Sequence, residues 1–141
     1  MLTSLEPYFG YADGASRSTW NPSSATWAIF SQSGELISLQ AICIDHSINN
    51  IVEYNAVVEI LSDVISHGIH CLVIKLDSQL VVVQIANIYS VRSPTILHIF
   101  LRIRLLERHF DFIQYEHISR NLNTLIDVLA NHVLDRHLQS M

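Results

Sequence analysis

The sequence predicts an α/β fold in which a five-stranded mixed sheet carries helices on its faces. Three strand-like runs follow one another near the N-terminus, which is typical of antiparallel strands joined by short turns. From about residue 50 onward, helix-length segments alternate with apolar strand-length segments, which indicates parallel strands joined by crossover helices. The predicted order of elements is therefore βββ-α-β-α-α-β-α.

The first three strands form an antiparallel unit. Residues 8–13 alternate in the manner of a strand, and residues 14–24 read as a serine-rich loop. Residues 25–32 and 35–44 flank the turn sequence SQSGE, which predicts a hairpin. We therefore expect the chain to enter the sheet at residue 8 and to leave it near residue 44.

The second half of the chain alternates helices with strands. A helix is predicted from about residue 50 to 67, where Gly68 ends it, and the next strand, residues 71–77, is apolar throughout. A strand without polar alternation is typical of one that is covered on both faces. The remaining predicted elements are helices at about 78–88 and 94–110, a strand at 111–118 and a last helix at about 122–138.

Length and charge limit the classes of function. The 141 residues suit one domain, residues 1–141 with a core of about 8–138, and no linker or repeat divides them. The net charge is −5 and Lys75 is the single lysine, whereas a domain that binds a polyanion unaided usually carries a basic face. A nuclease remains compatible with this charge, because an acidic metal centre contributes negative charge of its own.

The sequence also gives expectations about location. It shows neither a signal peptide nor an uninterrupted apolar stretch long enough to cross a membrane. Cys43 and Cys71 lie in apolar strands, so we expect buried free thiols. Together these features favour an intracellular protein, cytoplasmic or nuclear, without a membrane partner.

Four carboxylates occupy positions that are unusual for free surface acids. Asp13 and Asp77 are each the last residue of a predicted strand, and ligand sites gather at the carboxyl ends of strands in parallel sheets. Glu53 shares the buried stripe of its helix, whose other members are Val57, Ile60 and Val64. Asp127 lies at the edge of the apolar arc of the last helix, which comprises Leu122, Ile126, Ala130, Val133 and Leu134.

Three of these acids also have an ordinary explanation. Asp13 suits a turn, Asp77 suits a helix cap, and Glu53 lies close enough to the helix start to reach solvent. Acids grouped near buried faces need a counter-charge, and Lys75 is the one basic residue placed near them. Hard divalent cations bound by oxygen ligands would supply that charge. The residues alone therefore predict an acidic metal site without identifying a substrate.

Four segments together resemble the type-1 ribonuclease H family, especially the domains fused to reverse transcriptases in long-terminal-repeat retrotransposons. The segments are YADGAS, INNIVEYNAVVEIL, IKLDSQLVVVQI and HISRNLNTLIDVLA, in the order of the family and spanning about residues 8 to 134. The resemblance implies a ribonuclease H-like fold. It also implies endonucleolytic hydrolysis of the RNA strand of RNA–DNA hybrids, assisted by two Mg²⁺ or Mn²⁺ ions.

The resemblance also assigns roles to individual residues. Asp13, Glu53, Asp77 and Asp127 match the metal-binding carboxylates, and His117 matches a histidine that assists turnover. His117 also has an ordinary reading as a histidine at the end of a strand. The positions implied to contact nucleic acid are Gly14, Ser16, Asn49 and Gln79. A contact to the 2′-hydroxyl would let such a protein distinguish RNA from DNA.

The departures from the family pattern leave other functions open. The segment SRSTWNPSSATW replaces a glycine-rich turn, Ile126 replaces a small residue, and positive charge is scarce. These features suit a domain tethered to a polymerase domain of the same polyprotein, or a catalytically weak relic that serves as an interaction module. A proofreading exonuclease of similar fold is disfavoured, because Ala15 stands where its Asp-x-Glu pair would need an acid.

The helix at 94–110 carries a second apolar row beside its buried one. The row comprises Leu97, Leu101 and Leu105 and is interleaved with Arg104 and Arg108. Either the helix is fully covered, or this row contacts another subunit or the rest of a polyprotein, which makes a homodimer one expected state. The two arginines could alternatively contact phosphates.

Overall fold

A computed structural model gives the fold of residues 6–16, 23–44, 49–86 and 93–124, together with residues 126, 128 and 132. The described strands form one five-stranded sheet in the order β3-β2-β1-β4-β5. The first three strands are antiparallel, whereas β4 pairs in parallel with both β1 and β5. The predicted α/β class and the mixed sheet are confirmed.

The first three strands are β1 (Tyr8–Ser16), β2 (Ser23–Phe30) and β3 (Leu36–Ile44). The predicted loop at 14–24 is wrong at both ends, because antiparallel pairing of β1 with β2 continues to Ser16 and Ser23. Ser23 and Ser24 are fully buried. Their small side chains fit the sheet interior, and sheet pairing there satisfies the backbone groups that a loop would expose to water.

The crossover elements follow the predicted order. They are α1 (Asn49–Ser66), β4 (Cys71–Leu76), α2 (Gln79–Ala86), α3 (Pro94–Glu107) and β5 (Phe112–His117). Gly68, which has a φ of 72°, follows the end of α1 as the sequence predicts. A short 3₁₀ turn, Arg120–Asn123, precedes the last helix, of which residues 124, 126, 128 and 132 are described.

Helix α1 packs across β1 and β2 and supplies much of the core. Its predicted buried stripe is confirmed, since Val57, Ile60 and Val64 are fully buried. Gly10 and Gly14 of β1 face this helix without side chains, which lets the helix lie close to the sheet. The site described below depends on that short distance.

Helix α3 buries one face and exposes the other. Leu97, Leu101 and Leu105 are 40%, 54% and 57% exposed, so the described residues do not cover the second apolar row. The interpretation of α3 as a fully covered helix is therefore wrong. Arg104 is not available to a phosphate, because it contacts both carboxylate oxygens of Glu107 at 2.8 and 2.9 Å and also the carbonyl oxygen of Ile85.

The structure tests the expected burial of the two cysteines and describes the helices with respect to a membrane crossing. Cys43 is exposed on the edge strand β3 and Cys71 is partly exposed, so the expectation of buried thiols is wrong. Neither cysteine forms a disulfide in the part of the chain that the structure describes. Among the described helices, none combines the length and the hydropathy that a membrane crossing requires.

Asp63 joins the C-terminal half of α1 to the hairpin. Its Oδ2 accepts hydrogen bonds from Trp27 Nε1 at 2.9 Å and from Ser38 Oγ at 2.8 Å. Its Oδ1 lies 3.3 Å from His67 Nδ1 in the following turn. Asp63 therefore anchors α1 to two strands, β2 and β3.

We expect Asp63→Ala to lower the free energy of unfolding by about 2–4 kcal/mol, because Trp27 and Ser38 would lose a charged acceptor in a partly buried place. Urea denaturation followed by circular dichroism measures the change. Glu59→Ala is the matched control, since Glu59 lies one turn earlier and has no such hydrogen bond in the described part of the chain. Equal effects of the two substitutions would contradict the anchoring role.

Candidate active site

Asp13 lies where β1 loses one of its two neighbours. The parallel pairing with β4 ends at Tyr11 and Lys75, whereas the antiparallel pairing with β2 continues past Asp13 to Ser16. Asp13 therefore lies inside β1, whereas the sequence predicts it at the end of that strand. It still stands beyond the carboxyl end of the parallel part of the sheet, which is where ligand sites form.

Glu53 reaches Asp13 because Gly14 brings the helix close to the strand. A Cβ atom on Gly14 would lie 2.6 Å from Val52 Cγ1 and 2.7 Å from the backbone nitrogen of Glu53. These distances are shorter than atoms can approach, so only glycine fits without movement. The family resemblance implies that Gly14 contacts nucleic acid, whereas the structure gives it a packing role, and the nucleic-acid contact stays a prediction.

Asp77 follows the last residue of β4 and precedes α2. Its side chain is 5% exposed, and its Oδ2 is buried without a hydrogen-bond partner among the described residues. The nearest described cation is Arg120, whose Nε lies 3.7 Å from that oxygen. An unpartnered buried oxygen is costly, so this atom is suited to a ligand that the protein does not itself provide.

These three acids form one cluster. One carboxylate oxygen from each of Asp13, Glu53 and Asp77 lies within 4.8 Å of the others. Two unit charges at this distance repel by about 3 kcal/mol at an effective dielectric constant near 20. Lys75, which the sequence suggested as the neutralising group, instead lies 3.7 Å from Glu116. The cluster therefore holds more negative charge than its described basic neighbours compensate.

Burial and charge change the acidity of Glu53. The pKa of Glu53 is raised to about 7, chiefly because burial removes the carboxylate from water and also because of the charge of Asp77, although a hydrogen bond with Ser78 and the charge of Arg120 act in the opposite direction. In the absence of a cation, the protonated form of Glu53 is thus present in a substantial fraction near neutral pH. A proton and a cation would compete for this group.

The donor set suits a hard divalent cation. All three side chains supply carboxylate oxygens, which are the ligands preferred by Mg²⁺ and Mn²⁺. Oδ2 of Asp77 has no hydrogen-bond partner among the described residues, and the three acids repel one another. Both features point to a bound positive charge. The residues present therefore fit the cation that the sequence predicts.

The other predicted site residues are described to different extents. His117 is exposed and ends β5, where it pairs with Leu76 of β4, next to Asp77. Gln79 is exposed at the start of α2. Ser16 ends β1 and Asn49 begins α1, and their side chains lie outside the described part of the structure, as does Asp127 entirely. The roles of all these residues stay predictions.

The burial of residues at the start of the last helix differs from the apolar arc that the sequence predicts for that helix. Leu122 is 69% exposed, whereas Asn123 is 1% exposed and Ile126 is 3% exposed. The 3₁₀ turn at Arg120–Asn123 changes the angular spacing of its residues, so a wheel drawn for a continuous α-helix misplaces Leu122. Neither Arg120 nor Asn123 was predicted as a site residue. The one available signal was a run of polar residues directly before an apolar helix.

We expect Gly14→Ala to lower the free energy of unfolding by about 1–3 kcal/mol, because the added methyl group meets helix backbone. Gly10→Ala is the matched comparison and should cost less, since its methyl group would meet the flexible end of the Ile60 side chain. Thermal denaturation of both variants checks this order. A Gly14→Ala variant as stable as the wild type would contradict the close packing.

We expect Glu53→Gln to stabilise the cation-free protein at pH 8 but not at pH 4.5. The pKa of Glu53 is raised in the folded state, so its stabilising contribution is present below the unfolded pKa and is lost as pH rises toward about 7. After allowance for partial exposure, the gain at pH 8 is about 1–2 kcal/mol. Unfolding in EDTA at both pH values measures it, and Glu59→Gln is the control.

A pH-independent difference between Glu53→Gln and the wild type would contradict the raised pKa. A gain at pH 8 shared by Glu59→Gln would instead indicate a general effect of removing negative charge from α1.

Comparisons with known proteins place these features in a family. Residues 11–133 match the family model described as reverse transcriptase-like. Ribonuclease HI of Halobacterium salinarum is 31% identical over 125 residues, which cover 89% of this chain and 63% of that protein. A bifunctional protein of Mycobacterium tuberculosis is 32% identical over 132 residues and is covered over 36% of its length. The chain thus spans less than two thirds of these curated relatives.

Solved structures give the same result for the fold. The crystal structure of ribonuclease H1 from Halobacterium salinarum has a TM-score of 0.87 at 30% identity, over 92% of this chain and 98% of that chain. The N-terminal ribonuclease H domain from Mycobacterium tuberculosis has a TM-score of 0.87 at 28% identity, over 95% and 97% of the two chains. The chain therefore belongs to the ribonuclease H family.

Proposed function

We propose that this domain hydrolyses the RNA strand of RNA–DNA hybrids with the help of two divalent cations. The observation that carries the proposal is the convergence of Asp13, Glu53 and Asp77, whose carboxylate oxygens lie within 4.8 Å of one another. All three acids lie in segments that resemble the ribonuclease H motifs. A solved relative at 26% identity is described as a complex with an RNA/DNA hybrid, which supports this substrate class.

In this proposal Asp13, Glu53 and Asp77 hold the cations together with Asp127. Two bound Mg²⁺ or Mn²⁺ ions would supply Lewis-acid chemistry, activating the attacking water and stabilising the leaving 3′ oxygen, so that the products carry 5′-phosphate and 3′-hydroxyl ends. The protein must present the carboxylates in their ionised form. Because the pKa of Glu53 is raised to about 7, this requirement favours activity at neutral to alkaline pH.

The other predicted site residues have separate proposed tasks. His117 stands at the end of β5 beside the strand that leads to Asp77, and we assign its exposed imidazole to assisting turnover. Asn49 and Gln79 begin the two helices that follow the hairpin and β4, and we assign them to the RNA strand near its 2′-hydroxyl. Gly14 and Ser16 complete the proposed nucleic-acid contacts.

The proposal includes a protein partner, because the domain has little positive charge with which to hold a hybrid by itself. The net charge is −5, and the single lysine is paired with Glu116. The partner is a polymerase domain of the same polyprotein or a second copy of the chain. The exposed row Leu97, Leu101 and Leu105 supports a protein contact on α3.

The same scarcity of positive charge favours a second candidate function. In it the domain keeps the ribonuclease H fold, hydrolyses hybrids weakly or not at all, and serves as an interaction module. The two functions differ in one measurable respect, which is cleavage of hybrid by the pure protein. The retained acidic cluster favours the enzyme, because a relic has no chemical reason to keep three repelling carboxylates together.

We expect the purified protein to cleave the RNA strand of a labelled RNA–DNA hybrid in the presence of Mg²⁺ or Mn²⁺, and Asp77→Asn to lower the rate by more than about 100-fold. The amide would weaken cation binding while preserving the shape of the side chain. Gel electrophoresis of the labelled RNA measures the cleavage.

Asp111→Asn is the matched control, because Asp111 is exposed at the opposite end of the sheet, where its backbone nitrogen contacts His70. It should cleave like the wild type. A folded wild-type protein that leaves the hybrid intact at high enzyme concentration would refute the enzymatic function and favour the interaction module. Equal cleavage by Asp77→Asn would refute the site.

A further inference from the structure

The connector between β5 and the last helix contacts both strands that carry the aspartates. The backbone nitrogen of Ile118 donates to the carbonyl oxygen of Leu76 at 2.8 Å. Asn123 Nδ2 donates to the carbonyl oxygen of Ala12 at 3.5 Å. Leu76 precedes Asp77 and Ala12 precedes Asp13, so one short segment holds the residue before each aspartate.

Asn123 is an unusual residue for such a buried position. It is 1% exposed, and its side chain contacts a residue 111 positions earlier in the sequence. Its Oδ1 is buried and has no hydrogen-bond partner among the described residues. Burying an amide in this way costs free energy that an apolar residue of similar size would avoid, so packing alone does not account for asparagine here.

The carbonyl of Ala12 explains why a donor is needed. Beyond Tyr11, β1 no longer pairs with β4, so the polar backbone groups on that side of β1 lose their partners in the sheet. Ala12 is itself 1% exposed, so water reaches this place poorly. A side-chain donor at position 123 satisfies this carbonyl and fixes the backbone at the residue before Asp13.

We propose that Asn123 is a positioning residue that sets the place of Asp13 relative to Asp77 and thereby tunes cation binding by the acidic cluster. Ile118 fixes the strand end before Asp77, and Asn123 fixes the strand before Asp13. The inference rests on the proposed function for its activity readout. Its other readouts are independent of cleavage.

The test uses Asn123→Asp, which keeps the shape of the side chain but replaces the donor with an acceptor, and Asn123→Ala, which removes the whole amide. Asn121→Asp and Asn121→Ala are the matched controls, because Asn121 lies in the same 3₁₀ turn and is exposed. Asn121→Asp adds the same charge to the same turn. It therefore separates the effect of charge from the loss of the hydrogen bond.

Mn²⁺ binding by electron paramagnetic resonance, without nucleic acid, is the first readout. We expect both Asn123 variants to bind Mn²⁺ about 10-fold more weakly than the wild type, as is typical when a residue that orients a metal ligand is removed. Hydrogen exchange of the cation-free protein should accelerate at residues 12–14. In hybrid cleavage, kcat should fall about 10- to 100-fold while KM changes little.

Each outcome decides the inference. Weaker Mn²⁺ binding in folded Asn123 variants, with unchanged Asn121 controls, supports it. Unchanged Mn²⁺ affinity with only a lowered Tm, or a loss of folding in both Asn123 variants, would assign Asn123 to stability alone and overturn it. A wild type that binds Mn²⁺ but leaves hybrid intact would refute the proposed function without affecting this result.

Discussion

The close contact between β1 and α1 at Gly14 is the constraint on which the site depends. Because a hydrogen atom stands where other residues have a Cβ, the backbone at Val52 and Glu53 lies against the strand. Glu53 then reaches the same space as Asp13, although the two residues belong to different layers of the fold. A larger residue at position 14 would separate the layers and move one ligand away from the others.

The fold holds together three carboxylates, those of the acidic cluster, although they repel one another. Asp13 is 3% exposed and the Asp77 side chain is 5% exposed, so solvent screens their charges poorly. Packing elsewhere supplies the free energy that keeps them in place, including the α1 core and the anchor at Asp63. Such concentration of unfavourable charge is typical of functional sites rather than of structural ion pairs.

The sequence predicts the fold better than it predicts the surroundings of the site. The order of elements and the three acids follow from periodicity, strand ends and the family resemblance, because these signals are local or lie in motifs. The residues that surround the acids in the structure differ from those that the sequence predicts. Lys75 contacts Glu116 instead, and Arg120 and Asn123 approach the cluster from a distant segment. Such long-range contacts leave no periodic signal in a single sequence.

The extent of β1 was misjudged for a related reason. Serine and glycine are common in loops, so residues 14–16 read as a loop although pairing with β2 keeps them in the sheet. Likewise, the 3₁₀ turn at Arg120–Asn123 interrupts the helical spacing from which Leu122 was predicted to be buried. In both places backbone pairing or geometry overrides the average preference of the residue types.

The parallel pairing of β1 with β4 has a consequence for how the chain folds. These strands are separated in the sequence by the hairpin and α1, so their contact forms only after a long loop has closed. The first hairpin can form without bringing Asp13 near Asp77. The repulsion between the acids therefore arises only when the sheet closes between β1 and β4, and it opposes that closure.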